Sequence, residues 1–168
     1  HEVGGPMSID ALHVKWIAEF LGLSRPREVI EIGSCAGVST RAITAAYDRN
    51  IVSRVHLVDT LISESVRVLA DDRKGFRIHE MPSTAALPEI DASEDLVVVV
   101  DGDHSLGCVM NELPLVLDKN PRAIIAHDVT AEAAGYSQCD GARWLLIACR
   151  DDDTFDHAAK SWRQVCGD

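Results

Sequence analysis

Four short segments of aliphatic and β-branched residues each end in a polar or glycine turn, the pattern of strands in an α/β protein. They are Glu28–Ile32, Arg54–Val58, Asp95–Val100 and Arg122–Ala126. The run from Leu96 to Val100 shows no polar alternation, so we predict a strand buried on both faces, as in the middle of a parallel sheet. A less regular segment, Phe76–Met81, predicts an edge strand.

Between these strands, apolar residues recur at the three- and four-residue spacing of amphipathic helices. The predicted helices are Ile9–Leu21, Ser39–Tyr47, Ser63–Ala70, Ser105–Leu117 and Gly141–Cys149. Pro114 lies inside the fourth of them, where it predicts a kink or the end of the first part of the helix. The segment Thr154–Asp168 could supply one more strand, although a complete last strand is not evident.

The alternation of strands and helices predicts an α/β fold with a doubly wound, mostly parallel sheet and right-handed crossovers. In such sheets ligands bind beyond the carboxyl ends of the strands. The length of 168 residues and the 46% hydrophobic content favour a single domain over residues 1–168. Within it we expect an N-terminal helical segment, 1–25, and an α/β core, 26–168.

Charge and cysteine content narrow the partners and the compartment. Acidic residues outnumber basic ones by 27 to 16, and the net charge of -11 disfavours nucleic acid and anionic membranes as partners. The five cysteines are scattered without a CxxC pair, which is typical of reduced thiols and predicts a cytoplasmic protein. No apolar run approaches the roughly 20 residues that span a bilayer.

The turn after the first strand carries two glycines, Gly33 and Gly37, which let the backbone bend and a ligand approach closely. The helix that begins near Ser39 directs free N–H groups toward that ligand. The spacing is Gly-x-x-x-Gly, preceded by Glu31, whereas a dinucleotide loop has the spacing Gly-x-Gly-x-x-Gly. An acidic residue here suits the positively charged amino acid end of a sulfonium cofactor better than two phosphates.

Asp59 follows the second strand, about twenty residues past the loop, where a carboxylate can accept both hydroxyls of a ribose. A glycine turn and an acidic strand end also occur separately in α/β proteins that lack this function. The prediction therefore depends on the combination of the two.

The fourth and fifth strands also end in residues that carry chemistry. Asp101, Asp103 and His104 follow the fourth strand, and His127 and Asp128 follow the fifth. Asp101 and Asp128 could share a Mg²⁺ ion, and His104 could take a proton from a hydroxyl. In the alternative interpretation, Asp103 or Asp128 caps the next helix, and the two histidines satisfy buried backbone groups.

Taken together, these motifs resemble the class I S-adenosylmethionine-dependent methyltransferases. Within that class the chain is most similar to the small bacterial O-methyltransferases whose fourth strand ends in Asp-x-Asp-His-Ser-Tyr, a group related to the macrocin-type sugar O-methyltransferases. The resemblance covers roughly Val29 to Val129. It implies a Rossmann-like fold and S-adenosyl-L-methionine as the cofactor.

The resemblance also implies roles for single residues. The methionine part of the cofactor would be lined by Gly33, Ser34, Gly37 and Ser39. The ribose would lie at Asp59 and the adenine near Ser83. The other predicted cofactor contacts are Glu31, Cys35, Thr60 and Asp101. His104 would act as the base, and Mg²⁺ would bind Asp101 and Asp128 with His127 where relatives have a second acid.

Two further positions depart from the group. Leu106 stands in place of the motif tyrosine, and Lys119–Arg122 lacks the Pro-Gly-Gly turn that is common before the fifth strand. Both departures indicate a divergent member of the group.

We hypothesise methyl transfer to a hydroxyl of a small molecule, such as a sugar, a phenol or another natural product. The catalytic residues would be His104 and Asp101, with a divalent metal as a candidate assistant. The alternatives are an NAD-dependent oxidoreductase on the same architecture and a cofactor-binding module that has lost activity. A homo-oligomer is compatible with the sequence.

Overall fold

The computed structural model describes residues 11–103, 105–127 and 146–166. Its strands are β1 (Glu28–Ile32), β2 (Arg54–Asp59), β3 (Phe76–Glu80), β4 (Leu96–Val100), β5 (Ala123–Ala126) and β6 (Leu146–Cys149). Its helices are α1 (Ala11–Ser24), α2 (Val38–Asp48), α3 (Glu64–Ala70), α4 (Ser83–Glu89), α5 (Leu106–Asp118) and α6 (Asp152–Cys166). None of these helices is long and apolar enough to cross a membrane.

The strands form one sheet in the order β3-β2-β1-β4-β5-β6. All neighbours are parallel except β5 and β6, which pair antiparallel. The strand order reverses between β1 and β4, where Ile32 lies opposite Val100. The loops that follow these two strands therefore meet at the switch point, the place where ligands bind in doubly wound sheets.

Apolar side chains cover both faces of the sheet, so the predicted doubly wound fold is confirmed. On one face Trp16 and Phe20 of α1 are buried and stack with ring centroids 5.2 Å apart. On the other face Leu87 of α4 and Val116 of α5 pack against the central strands. The Val-rich run of β4 is buried on both faces, as its lack of polar alternation predicted.

Two predicted elements near the carboxyl end are wrong. The last four residues of the predicted helix Gly141–Cys149 form β6 instead, and residues 141–145 lie outside the described part of the chain. Short apolar runs fit a buried strand as well as a helix, and pairing with β5 decides the outcome here. The predicted strand in Thr154–Asp168 is α6, because buried Thr154, Ala158 and Ser161 lie on one helical face.

Other differences concern proline positions. The short helix α4 was not predicted, since it follows Pro82 and contains Pro88, two residues that favour turns in a sequence. Pro114 does not end α5, which continues to Asp118. The edge strand predicted at Phe76–Met81 is confirmed as β3.

Candidate functional site

The loop between β1 and α2 touches the loop after β4 through a glycine. Gly33 has φ +84°, and a Cβ atom there would overlap the backbone carbonyl of Asp101. The Asp101 N–H donates to the Ile32 carbonyl at 2.8 Å, and the Gly33 N–H donates to the Val58 carbonyl at 2.8 Å. Only glycine allows the three strand ends to approach so closely.

The second glycine begins α2. Gly37 is the N-cap with φ +81°, and within the described residues no side chain caps this helix. The N–H groups of its first turn therefore remain available to a ligand. The loop is fixed from the side of α3, because Ser63 donates to the Cys35 carbonyl at 2.7 Å and Ser65 donates to the Ala36 carbonyl at 2.9 Å.

Asp59, at the end of β2, is bonded to the same loop. Its Oδ2 accepts from the Cys35 N–H at 3.0 Å and from the Ser34 hydroxyl at 3.5 Å. Its Oδ1 accepts from the Leu61 N–H at 3.2 Å. The structure thus brings together the glycine loop and the acidic strand end whose combination carried the sequence prediction.

Glu31 lies beneath this loop with no solvent exposure. Its Oε2 accepts from the Thr40 hydroxyl at 2.6 Å, whereas Oε1 has no hydrogen-bonding partner among the described residues. Burial raises the pKa of Glu31 to about 7. The hydroxyls of Ser39 and Thr40 oppose this rise, and the negative charges of Asp101 and Asp59 add to it. Sequence reasoning missed Thr40, which reads as an ordinary helix residue.

The carboxylates of Glu31, Asp59 and Asp101 therefore lie at one end of the sheet, close enough for the charges of Asp59 and Asp101 to act on Glu31. Such an arrangement favours a positively charged ligand.

Asp101 and His127 also meet, as predicted for residues that follow neighbouring strands. His127 Nδ1 lies 3.1 Å from Asp101 Oδ1, and the imidazole is only 1% exposed. The ring of His13, from α1, packs edge-on against His127 with centroids 4.9 Å apart. His127 thus orients Asp101 from inside the protein, and His13, which the sequence did not indicate, supports it.

The other two predicted chemical residues, His104 and Asp128, lie outside the described residues. Without Asp128, the described part of the chain contains no group of three His, Cys, Asp or Glu residues that could hold a metal. Mg²⁺ requires several oxygen ligands, and Asp101 turns one of its oxygens to an imidazole. The described donors by themselves do not fit this ion.

A cavity of about 280 Å³ opens beside the glycine loop. Its walls include four residues that the sequence predicted as cofactor contacts: Gly33, Asp59, Thr60 and Ser83. The remaining walls come from the ends of β1 and β2, from the loop after β4, and from the α4 and α5 region: Ile32, Val58, Gly102, Asp103, Pro82, Thr84, Cys108 and Glu112. Of the α4 residues in these walls, Ser83 was predicted, whereas Thr84 was not, because the helix itself was not predicted.

Polar side chains at the start of α5 accept hydrogen bonds from nearby backbone N–H groups. Ser105 caps the helix by accepting from the Cys108 N–H at 3.3 Å, and Asp103 accepts from the Ser105 N–H at 2.8 Å. The predicted alternative, in which Asp103 caps the helix itself, is therefore replaced by a cap at Ser105 that Asp103 supports.

Residues 30–129 match the family model described as "Methyltransferase domain". No curated protein matches the chain in sequence.

Several solved structures share the fold. Cofactor-bound Rv0187 from MTB is 17% identical, with a TM-score of 0.61 over 95% of this chain and 70% of that one. The O-methyltransferase TomG from Streptomyces achromogenes, in complex with SAM, is 15% identical, with a TM-score of 0.64 over 96% and 71%. An O-methyltransferase from Bacillus cereus, in complex with SAH, is 16% identical, with a TM-score of 0.54 over 98% and 73%.

Proposed function

Because this chain belongs to the family of methyltransferase domains, we propose that it moves a methyl group from S-adenosyl-L-methionine to a hydroxyl of a small molecule. The proposal is carried by one observation: buried Glu31, Asp59 and the glycine loop lie together beside an open cavity. The proposed subgroup is that of the small O-methyltransferases of the macrocin type. The O-methyltransferases TomG and that of Bacillus cereus, which share the fold, support the choice of a hydroxyl as the methyl acceptor.

The charges of the site fit the cofactor. S-adenosyl-L-methionine carries a sulfonium and an ammonium group and supplies an electrophilic methyl group when bound. Glu31 has a buried oxygen without a partner in the described residues, which the ammonium group would satisfy. Asp59 would accept from the ribose hydroxyls, and Ser83 would line the adenine side.

The chain's own part in the reaction is orientation and proton removal. Asp101, held by His127, would position the acceptor hydroxyl, and orientation can contribute up to about 7–11 kcal/mol in favourable reactions. His104, three residues further on, would take the proton from the hydroxyl. Assistance by a divalent metal is a separate proposal that depends on Asp128.

Ligand binding tests the proposal first. We expect S-adenosylhomocysteine to raise the melting temperature of the protein, and NAD to leave it unchanged. Stabilisation by NAD alone would favour the oxidoreductase alternative. A panel of sugars and phenols with methyl-labelled cofactor then tests transfer, and binding without any labelled product would favour a module that has lost activity.

Asp59→Asn should weaken S-adenosylhomocysteine binding by about tenfold or more, because hydrogen bonds to a charged acceptor contribute about 1.5–3 kcal/mol. Isothermal titration calorimetry measures the change.

Because Asp59 also accepts hydrogen bonds from the glycine loop, its contribution to ribose binding needs a separate control. A cofactor analogue without ribose hydroxyls should bind the variant and the original protein with nearly equal affinity. An equal loss for both ligands would mean that Asp59 only shapes the loop.

His104→Ala should reduce turnover by about 100-fold or more, since general base catalysis typically contributes at least that factor. The affinity for S-adenosylhomocysteine should stay within a factor of about two, because the imidazole is assigned to the acceptor and not to the cofactor. Unchanged turnover would remove the base assignment.

A further inference from the structure

The acidic groups at the two ends of the sheet have different surroundings. At the amino end, Glu28 accepts from the Arg54 guanidinium at 2.7 Å, and Asp95 accepts from the Arg122 guanidinium at 2.8 Å. Each of these carboxylates is therefore balanced by a cation of the protein itself.

At the carboxyl end, two carboxylates of the cofactor site have no such partner. Within the described residues, Glu31 and Asp59 accept hydrogen bonds only from hydroxyls and backbone N–H groups. One oxygen of Glu31, Oε1, is buried and has no hydrogen-bonding partner there. The described walls of the cavity add Asp103 and Glu112 and contain no lysine or arginine.

These carboxylates make the site electrically negative, and their effect reaches Glu31. Burial is the main cause of the raised pKa of Glu31, and the negative charges of Asp101 and Asp59 raise it further. The net charge of -11 adds a weaker field of the same sign. A positive charge in this site is therefore more stable than a neutral group of the same size.

The two forms of the proposed cofactor differ by one such charge. S-adenosylmethionine carries a sulfonium, an ammonium and a carboxylate group, so its net charge is positive. Its product, S-adenosylhomocysteine, has a neutral thioether in place of the sulfonium and therefore no net charge. The groups that Glu31, Asp59 and Ser83 would bind are the same in both compounds.

We propose that the site distinguishes these two forms by their charge, so that it binds S-adenosylmethionine more tightly than S-adenosylhomocysteine and releases the product readily. This preference rests on the proposed function, because it requires that the site binds the cofactor. A single carboxylate about 12 Å from the sulfonium, at an effective dielectric constant of about 20, would change the affinity by about tenfold. Because several carboxylates lie at the site, we expect a ratio of at least about tenfold at low salt.

Calorimetric titration with each compound at low and at high salt tests the proposal. At about 20 mM salt, S-adenosylmethionine should bind at least about tenfold more tightly, and at about 500 mM the ratio should fall by about threefold or more, because salt screens charges. Sinefungin, in which a carbon bearing an ammonium group replaces the sulfonium, has the same charge and no methyl group to transfer. Its affinity should depend on salt as that of S-adenosylmethionine does.

A single charge removed from the cavity wall tests the source of the preference. Asp103→Asn can still accept from the Ser105 N–H, and it should weaken S-adenosylmethionine binding by about threefold or more while S-adenosylhomocysteine binding stays within about twofold. Glu94→Gln is the matched control, since it removes the same charge at an exposed position just before β4, at the amino end of the sheet. This variant should leave both affinities unchanged.

Equal affinities for the two compounds at low salt would overturn the preference and leave the proposed function standing. A ratio that does not change with salt, or that Glu94→Gln lowers as much as Asp103→Asn does, would also overturn it. If neither compound binds, the proposed function fails as well.

Discussion

Replacing Gly33 by alanine is expected to lower the free energy of unfolding by at least about 4 kcal/mol and to abolish cofactor binding. The φ angle of +84° alone disfavours a residue with a Cβ atom, by about 1–2 kcal/mol. In addition, the new methyl group would overlap the Asp101 backbone, and a shift of that backbone would strain the hydrogen bond from the Asp101 N–H to the Ile32 carbonyl. Chemical denaturation measures the first effect and calorimetry the second.

Gly22→Ala is the matched control. Gly22 lies inside α1, and a Cβ atom there would meet nothing within 4 Å. Alanine is the better helix former, so this variant should be as stable as the original protein or more stable by up to about 1 kcal/mol. A Gly33→Ala protein that is as stable as the Gly22→Ala protein would show that the two loops are not packed together as described.

Much of the site could be predicted because it depends on local sequence. Gly33, Gly37 and Asp59 are residues whose chemistry shows in their type and in their distance from a strand end. Parallel strands place their carboxyl ends along one edge, so the meeting of Asp101 with His127 also follows from topology.

The remainder depends on tertiary contacts that no local pattern carries. Helix α4 forms in spite of Pro88 because Ala86 and Leu87 are buried against the sheet. The Leu146–Cys149 segment is a strand because it pairs with β5, although its spacing also allowed a helix. His13 reaches the site only because α1 packs across the sheet, more than a hundred residues from His127 in sequence.

Two buried glutamates of β1 show how the two ends of the sheet differ. Burial alone would raise the pKa of Glu28, but hydrogen bonds from Ser93 and the guanidinium of Arg54 at 2.7 Å outweigh it and lower the pKa. Glu31 also has no exposed surface, but burial dominates there, because the hydroxyls of Ser39 and Thr40 oppose it less than a guanidinium would, and its pKa is raised. At the amino end of the strand the carboxylate is thus paired with Arg54 of the protein itself, whereas at the carboxyl end it can pair with a cationic ligand.

Glu31→Gln should therefore raise stability and impair binding. A carboxyl whose pKa rises on folding, here from 4.5 to about 7, stabilises the folded protein at low pH. That contribution, about 3 kcal/mol, is lost as the pH rises through this window, because above pH 7 the folded protein must bury the ionised carboxylate. Glutamine does not titrate and can still accept from Thr40. The variant should match the original protein near pH 4.5 and exceed its stability by up to about 3 kcal/mol at pH 8, as denaturation at each pH measures.

Cofactor binding should respond in the opposite direction, because the ionised form that weakens the fold is the form that pairs with a cation. The affinity of the original protein for S-adenosylmethionine should rise with pH through about 7, with about half a proton released per molecule bound at pH 7. Calorimetry in buffers of different ionisation enthalpy measures that release, which Glu31→Gln should abolish. Glu19→Gln, an exposed change of the same charge on α1, should retain it. If the Glu31→Gln protein bound the cofactor as tightly at pH 8 as the Glu19→Gln protein does, the buried carboxylate would have no part in holding the ligand.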